Sequence, residues 1–473
     1  MISFRIRLSA TFVAAVLFGL AIPSASGLPA SAVGFIDPSQ DNSRPVIRAD
    51  ADGNLMGDLL DERGELLVNP RIVLEQNEKR QNPGFNYGST KVRGVNLGGW
   101  LVAEPWITPS LFDNTGDSRV IDEWTFGQYV GDAYSRLESH WASFITEDDF
   151  RQIASAGLNH VRIPIGYWAF DTSNGEPYVR SNQFNYLIKA VRWARNHNIK
   201  VLIDLHGAPG SQNGFDNSGR KGAIRWPNNP NNANRAKAAL QTMAKTFSAS
   251  EFYGTVTVIE LLNEPAGFNG NALLEYTKQF YRDGYGAVRQ SFGNVAVAIH
   301  DAFQDLSYWN GFMPPPQYQQ VLLDTHIYSV FSPGENAMSK DQRLNFFCSK
   351  ASSISSSQNN LWTIVGEWTT APTDCAKYLN GRGVGARYDG SFGGDSYYIG
   401  SCSAKTGNGN NFSQTYKNYL RDMFETQISV YERGSGWIMW TWKTEQAADW
   451  DYKRGLAGGW ITYNLNSRPN ARC

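Results

Sequence analysis

The stretch VTVIELLNEP spans residues 256–265. Its first part, Val256–Leu262, is rich in β-branched residues and nearly continuous in hydrophobicity, which is how a strand buried on both faces reads. It ends abruptly in Asn263 and Glu264. Outward from it, seven more runs have the same texture: Val92–Asn96, His160–Pro164, Val201–Leu205, Val295–Ile299, Val321–Thr325, Thr363–Val365 and Trp437–Trp442. The stretches between them are longer and carry helical or loop character. Phe184–Arg195 places Tyr186, Leu187, Ala190, Val191 and Ala194 at helical spacing, and Ala236–Phe247 and Leu273–Arg289 behave alike. Strands alternating with helices argue for parallel βαβ units. Eight such units point to an α/β fold, a (β/α)8 TIM barrel with a single catalytic domain, and a doubly wound sheet is the alternative.

Each run closes on polar residues: Asn96; Arg162 with Pro164; His206; Asn263 and Glu264; His300 and Asp301; His326 with Tyr328; Glu367; Lys443 and Thr444. In a barrel the C-terminal ends of all strands face one rim, where active sites sit. A single polar strand end is ordinarily a cap or a turn; a polar residue at every end is not explained that way.

Glu264 and Glu367 are far apart in sequence, yet a barrel brings the ends of the fourth and seventh strands across one cavity. Glycoside hydrolysis needs such a pair: one carboxylic acid protonates the leaving oxygen, the other attacks the anomeric carbon, and the first then activates water. The two roles require surroundings that push the two pKa values apart. Arg162 is placed to hold Glu367 ionised, and Asn263 to bond a sugar 2-hydroxyl. His206, His326 and Tyr328 offer further hydroxyl contacts or proton-network partners. The bland reading of each is a satisfied buried polar group.

Composition is consistent with a neutral substrate. There are 43 basic and 44 acidic residues, a net charge of −1, and no basic run that would mark a nucleic-acid or anionic-membrane surface. Aromatics make up 13% of the chain; most are expected to fill the core. Arg5 and Arg7, the apolar run Leu8–Ile22 and the small residues 23–27 read as a signal peptide over 1–27, too short for the roughly 20 apolar residues of a membrane span. A secreted protein without a membrane anchor is expected, in the extracellular space or cell wall, as a monomer. Residues 28–90 are polar and weakly periodic and read as an extension or propeptide, with Lys79-Arg80 a candidate cleavage site; the catalytic domain is drawn from 91 to 473. Four Cys behind a signal peptide argue for disulfides, in any of three pairings. Asn411-Phe412-Ser413 is a glycosylation sequon.

Other chemistries fit less well. There is no CxxC pair and no HExxH, so no metal and no cofactor is expected. Residues 210–214 lack the spacing of a nucleophile elbow, and the glycine-rich 381–385 does not follow a strand as a phosphate cradle would.

Longer motifs add a resemblance. RGVNLGGWLVAEPWITPSLF (93–112), HWASFITEDDF (140–150), NHVRIPIGYWAF (159–170), IDLHGAPGSQNGFDNSG (203–219), ELLNEP (260–265), THIYSVF (325–331), GEWTTAPTDCAKYLNG (366–381) and GWIMWTWKTE (436–445) together resemble the fungal exo-β-1,3-glucanases of glycoside hydrolase family 5. The resemblance covers the chain from about residue 91 to its end. It implies a (β/α)8 barrel that releases glucose from non-reducing ends of β-1,3-glucan with retention, Glu264 acting as acid/base and Glu367 as nucleophile. It further implies that Glu104, Asn217 and Trp440 bind glucose, that Phe215 and Phe331 clamp a sugar at the entrance, and that Cys375 pairs with Cys402 and Cys348 with Cys473. Two positions depart from the pattern: Trp106 stands where yeast members carry Tyr, and Val384 where some members carry Arg, with Arg382 close by. An endo-acting or β-1,6-active glucanase remains the alternative within the class, and a non-catalytic glucan-binding wall protein the alternative outside it.

Overall fold

In a computed structural model, residues 84–473 are described, together with the backbone of a short antiparallel pair, Arg48–Ala49 with Leu55–Met56. The expected signal peptide, the cleavage site at Lys79-Arg80 and most of the 28–90 extension lie outside the described residues.

Eight strands form a closed, all-parallel barrel: β1 (Val92–Asn96), β2 (His160–Gly166), β3 (Lys200–Gly207), β4 (Val256–Glu260), β5 (Ala296–His300), β6 (Val321–Ile327), β7 (Trp362–Trp368) and β8 (Gly436–Met439). The runs look continuously apolar because both faces are covered. Outward-facing Val161, Ile203, Ile259, Val297 and Leu323 join the large core beneath the helices. Those helices include α1 (Glu147–Ser155), α2 (Gln183–Asn196), α3 (Pro230–Phe247), α4 (Asn271–Arg289), α5 (Lys340–Ser349), α6 (Ala351–Gln358), α7 (Gln414–Tyr431) and α8 (Tyr452–Gly458).

The inward positions alternate with these along each strand and divide into two layers. Toward the N-terminal end of the strands, Val92, Leu202, Val258, Ala296, Ala298, Leu322, Ile364 and Ile438 fill the lumen with apolar atoms. One step further along the same strands stand Asn96, Arg162, Asp204, His206, Glu260, His300, Asp324 and Glu367, all buried. The boundary between the layers is therefore written in the period-2 pattern of the strands.

Three expectations need correction. Arg162 and His206 lie within β2 and β3, so their side chains stand in the lumen below the rim. The eighth strand ends at Met439 rather than Trp442, and Lys443 pairs with Asp149 of α1 at 2.8 Å in the outer layer. The packed barrel also begins before the boundary drawn at residue 91. Tyr87, 1% exposed, donates its hydroxyl to Thr257 Oγ1 at 2.7 Å and lies 3.1 Å from His160 Nε2. Phe85 stacks edge-on against His160. Together they close the N-terminal mouth of the lumen.

Both disulfides take the pairing that the resemblance implied, Cys375–Cys402 in the long β7–α7 connection and Cys348–Cys473 at the chain end. Asn411 is exposed just ahead of α7, where Ser413 caps the helix by accepting the N–H of Tyr416. Among the described residues no helix is long and apolar enough to cross a membrane.

Candidate active site

The C-terminal rim encloses a cavity of about 610 Å³. Of the residues singled out in the sequence, Glu104, Phe215, Asn217, Glu264, Tyr328, Phe331, Glu367 and Trp440 line it. Arg162, Asn263, His206 and His326 stand behind that wall and act on it through hydrogen bonds.

Arg162 is the hub. It is fully buried, and its guanidinium reaches four residues on four strands and Asn263 just past β4. Nε donates to Glu260 at 2.8 Å, Nη1 to Asn96 at 3.1 Å and Glu367 Oε1 at 2.9 Å, and Nη2 to Asn263 Oδ1 at 2.8 Å. Nη2 also pairs with Asp204 at 3.1 Å. The planar fork fixes all these partners at once. Asp204, Glu260 and Asp324 went unnoticed in the sequence, although a signal was there: an acid at an inward strand position needs a buried cation.

Glu367 is held at both oxygens, by Arg162 on Oε1 and by the Tyr328 hydroxyl on Oε2 at 2.9 Å. Glu264 follows β4 with φ = 43°, a left-handed backbone unusual for a side chain of this size. Its Oε2 accepts from Asn217 at 3.2 Å, and its Oε1 lies 2.7 Å from His326 Nδ1. The same Nδ1 is 3.5 Å from Glu367 Oε2, so one imidazole nitrogen stands between the two carboxyls. Burial pushes Glu367 up to about 7 against the pull of His326 and Arg162. Burial also acts to raise Glu264, but the hydrogen bond and charge of His326 hold it below the usual value. His326 rises well above its ordinary range: burial opposes its charge, and Glu367, Asp324 and Glu264 overcome that.

Other polar atoms in or behind the cavity wall have no protein partner. Glu104 Oε2 accepts from the indole of Trp106 at 3.0 Å while Oε1 has no partner. Burial and nearby Asp216 raise its pKa well above the carboxylate range. Asp216 itself, lifted to about 6 by burial, has a free Oδ2. Asn263 Nδ2 and His206 Nε2 are likewise unpartnered. His206 is oriented by Asp204 at 2.6 Å, and its ring stacks on Trp440. Aromatic faces complete the wall: Trp106 packs on Trp450 at the inner end, and Phe215, Phe303 and Phe331 stand half-exposed at the mouth.

Asp216, Lys221, Phe303, Asn380, Arg387, Phe392 and Trp450 were not foreseen as lining residues. They come from loops whose paths no periodicity encodes. Val384 lines the cavity, whereas Arg382 turns away to the carbonyls of Asp117 and Val120.

Two sets of three donors approach within 4.8 Å, Glu264/His300/His326 and Glu260/Asp324/His326. Glu260 Oε1, Asp324 Oδ2 and His326 Nε2 of the second set have no hydrogen-bond partner, yet each set has a feature that disfavours a metal. His300 Nδ1 accepts the N–H of Ala302, which leaves its proton on Nε2. In the second set the Arg162 guanidinium already supplies the cation.

The cellulase (glycosyl hydrolase family 5) model matches residues 126–382. The chain belongs to glycosyl hydrolase family 5. Within that family, a glucan 1,3-beta-glucosidase of Blumeria graminis is 49% identical, covering 84% of this chain and 92% of its own length. A probable glucan 1,3-beta-glucosidase A of Aspergillus niger is 49% identical over 83% of this chain and 92% of its own. Among solved structures, the rutinosidase of Aspergillus niger shares the fold with a TM-score of 0.63 at 21% identity, covering 80% of this chain and 99% of its own.

Proposed function

We propose that this family 5 glycoside hydrolase is a retaining exo-β-1,3-glucanase that releases glucose from the non-reducing ends of β-1,3-glucan. Glu264 is the acid/base and Glu367 the nucleophile. One observation carries the reading: His326 Nδ1 lies 2.7 Å from Glu264 Oε1 and 3.5 Å from Glu367 Oε2. The nearest carboxyl oxygens are thus no farther apart than those two legs end to end. That is short of the roughly 6.5–9.5 Å that leaves room for water in an inverting pair.

The division of labour follows from the partners. Two fixed donors, Arg162 and Tyr328, aim Glu367 and stabilise its charge, as an attacking carboxylate requires. Glu264 shares a short hydrogen bond with a protonatable imidazole, which serves a group that must gain and lose a proton. Burial lifts Glu367 above Glu264, the reverse of the order the roles demand; the assignment rests on the donors and on the proton held by His326. In the first step Glu367 attacks the anomeric carbon as Glu264 protonates the departing oxygen. In the second, Glu264 takes a proton from water, which displaces Glu367 and restores the β-anomer.

Glu104, Asn217, Asp216 and the free Nδ2 of Asn263 supply hydroxyl contacts, and Trp440 a stacking face. Trp106, packed on Trp450, adds aromatic surface to the wall. The names of the relatives support glucan as substrate. In this reading the mature protein is a monomer outside the cell, residues 1–27 serve as leader, and the extension drawn over 28–90 stops short of the barrel cap at Phe85 and Tyr87. A product time course on laminarin and pustulan tests it. Glucose alone, appearing first as the β-anomer by NMR, is expected from laminarin. Oligosaccharides would indicate endo-action, and faster release from pustulan a β-1,6 preference. Glu264→Gln and Glu367→Gln should each lose more than about 10³-fold in kcat while remaining folded; normal turnover by either would end the assignment.

A further inference from the structure

Below Glu264 stands an acid that the reaction as written does not use. Asp324 precedes His326 on β6 at an inward position and is fully buried. Its Oδ1 accepts the N–H of Gly366 at 2.7 Å, which fixes the orientation of the carboxyl. Gly366 is needed for this approach, since a Cβ there would come within 2.0 Å of Asp324 Oδ2. Oδ2 then faces His326 Nε2 at 3.7 Å, an ion-pair spacing, and neither atom has a hydrogen-bond partner. The opposite edge of the same imidazole meets Glu264 at 2.7 Å through Nδ1.

The other groups around the ring are Glu367 Oε2 at 3.5 Å from Nδ1, the His300 ring at 4.3 Å, and a Glu260 oxygen within 4.8 Å of both Asp324 and His326. Arg162 stands 3.9 Å from Asp324 Oδ2. His300 keeps its own proton on Nε2 because its Nδ1 is occupied by Ala302 N–H.

A carboxylate beside one imidazole nitrogen holds a proton there and leaves the other nitrogen to do the exchange. We propose that Asp324 is a positioning residue for the acid/base. It keeps a proton on His326 Nε2, so that Nδ1 is the nitrogen that trades a proton with Glu264. This rests on the assignment of Glu264 as acid/base. In the resting pair His326 is an imidazolium beside the Glu264 carboxylate. The Nδ1–H bond breaks and an O–H bond forms on Glu264, leaving neutral imidazole with its proton on Nε2 against Asp324. A turn of the carboxyl presents that proton to the glycosidic oxygen as the bond to the anomeric carbon breaks. After the second step the proton that Glu264 takes from water returns to Nδ1. Arg162 keeps its charge throughout.

Asp324→Asn tests this directly. The amide oxygen still accepts from Gly366, but the NH2 now points at Nε2 and donates to it. The imidazole proton is forced onto Nδ1, where it cannot be given up. Acid catalysis contributes about 10²–10⁴-fold for a leaving group that needs protonation. So kcat/KM for laminaribiose should fall about 100-fold or more. For 2,4-dinitrophenyl β-glucoside, whose leaving group needs no proton, the loss should be about 10-fold or less. Independently of turnover, ¹⁵N-histidine NMR of the wild-type protein should show His326 Nε2 protonated throughout the active pH range, with the pattern reversed in Asp324→Asn. Equal losses on the two substrates would overturn the proposal, as would a wild-type His326 with Nε2 unprotonated. If the wild type hydrolysed neither substrate, the functional reading would fail instead, and the NMR result would still decide the tautomer.

Discussion

The two ends of the barrel lumen are built from the same strands and solve opposite problems. At the N-terminal end Tyr87 and Phe85 cap an apolar layer, and the Tyr87 hydroxyl finds Thr257 and His160. At the C-terminal end Glu104, Asn263, His206 and Asp216 each leave a buried polar atom without a protein partner. A native interior seldom tolerates such atoms without a reason, and here they stand in or just behind the wall of one cavity. One end secures the fold, and the other keeps hydrogen-bonding capacity in reserve. The division matches the general asymmetry of such barrels and makes it testable.

The largest effect should come from the hub of the polar end. Arg162→Met removes the guanidinium that reaches Asp204, Glu260, Asp324 and Glu367 together. Loss of one partner from a buried ionic cluster costs about 3–5 kcal/mol, so the melting temperature should drop sharply. Glu367, the proposed nucleophile, also loses its aim, and kcat should fall more than about 10³-fold in whatever folded fraction remains. Unimpaired turnover would mean that Glu367 needs no guanidinium.

Tyr87→Ala strikes the other end. It opens a cavity in a tightly packed site, which typically costs about 3–5 kcal/mol for a buried aromatic. Below the melting transition kcat/KM should stay within about 2-fold of wild type. A variant that kept its stability, or lost activity while folded, would erase the division between the two ends.

How much of this was legible in the sequence follows the same division. The strands were, because a parallel barrel covers both strand faces and writes eight apolar runs. Glu264 and Glu367 were, because a strand end converts sequence position into location. Arg162 was noted but set at the rim, since a run that closes on polar residues conceals where pairing stops; β2 continues to Gly166. Asp204, Glu260 and Asp324 escaped because single acids inside apolar runs were not read for their inward parity. Tyr87 lay in a stretch that looked polar overall, and its role depends on contacts with Thr257 and His160 far along the chain. The cavity walls from Asp216, Arg387, Phe392 and Trp450 depend on loop paths set by tertiary contacts, including the Cys375–Cys402 disulfide.

Buried acids and buried histidines also answer pH in opposite directions. Burial lifts Asp301 to about 7 at the polar end, and does the same to Glu123 and Asp449. Their unfolded values lie near 4, so the fold favours their protonated forms. That stability is complete below about pH 4 and is lost as pH rises through 7. At the capped end, burial and then Lys200 depress His160 to about 3. Its neutral form is the folded one, so its contribution is present above about pH 6.5 and is lost as pH falls toward 3. Over pH 5–8 the raised carboxyls, which also include Glu104, Asp204, Asp216, Glu260, Glu367 and Asp451, outnumber the depressed histidines His140, His160, His206 and His300, and the melting temperature should rise as pH is lowered from 8 to 5. Asp301→Asn should flatten that slope, and His160→Asn should soften the decline below pH 5. A melting temperature that rose from pH 5 to 8 would contradict the balance.

The smallest effect belongs to the outer margin of the polar end. Phe215 and Phe331 are 39% and 42% exposed and line the cavity mouth from the loops after β3 and β6. Phe331 leans edge-on against Tyr328, the donor to Glu367. If the two rings hold a glucosyl unit entering behind the one being cleaved, they add stacking without touching the scissile bond. Such a contact is worth about 1 kcal/mol, so Phe331→Ala or Phe215→Ala should lower kcat/KM for laminaritriose about 5- to 10-fold. A small aryl glucoside fills mainly the inner cavity and should lose about 2-fold or less. The comparison separates binding from chemistry, because uniform loss of an entrance contact raises KM and leaves kcat nearly unchanged. Equal losses on both substrates would place the effect of Phe331 on Tyr328 and the nucleophile. No loss on either would leave the mouth aromatics without a part in binding, and the reserve of the polar end would then stop at the buried groups.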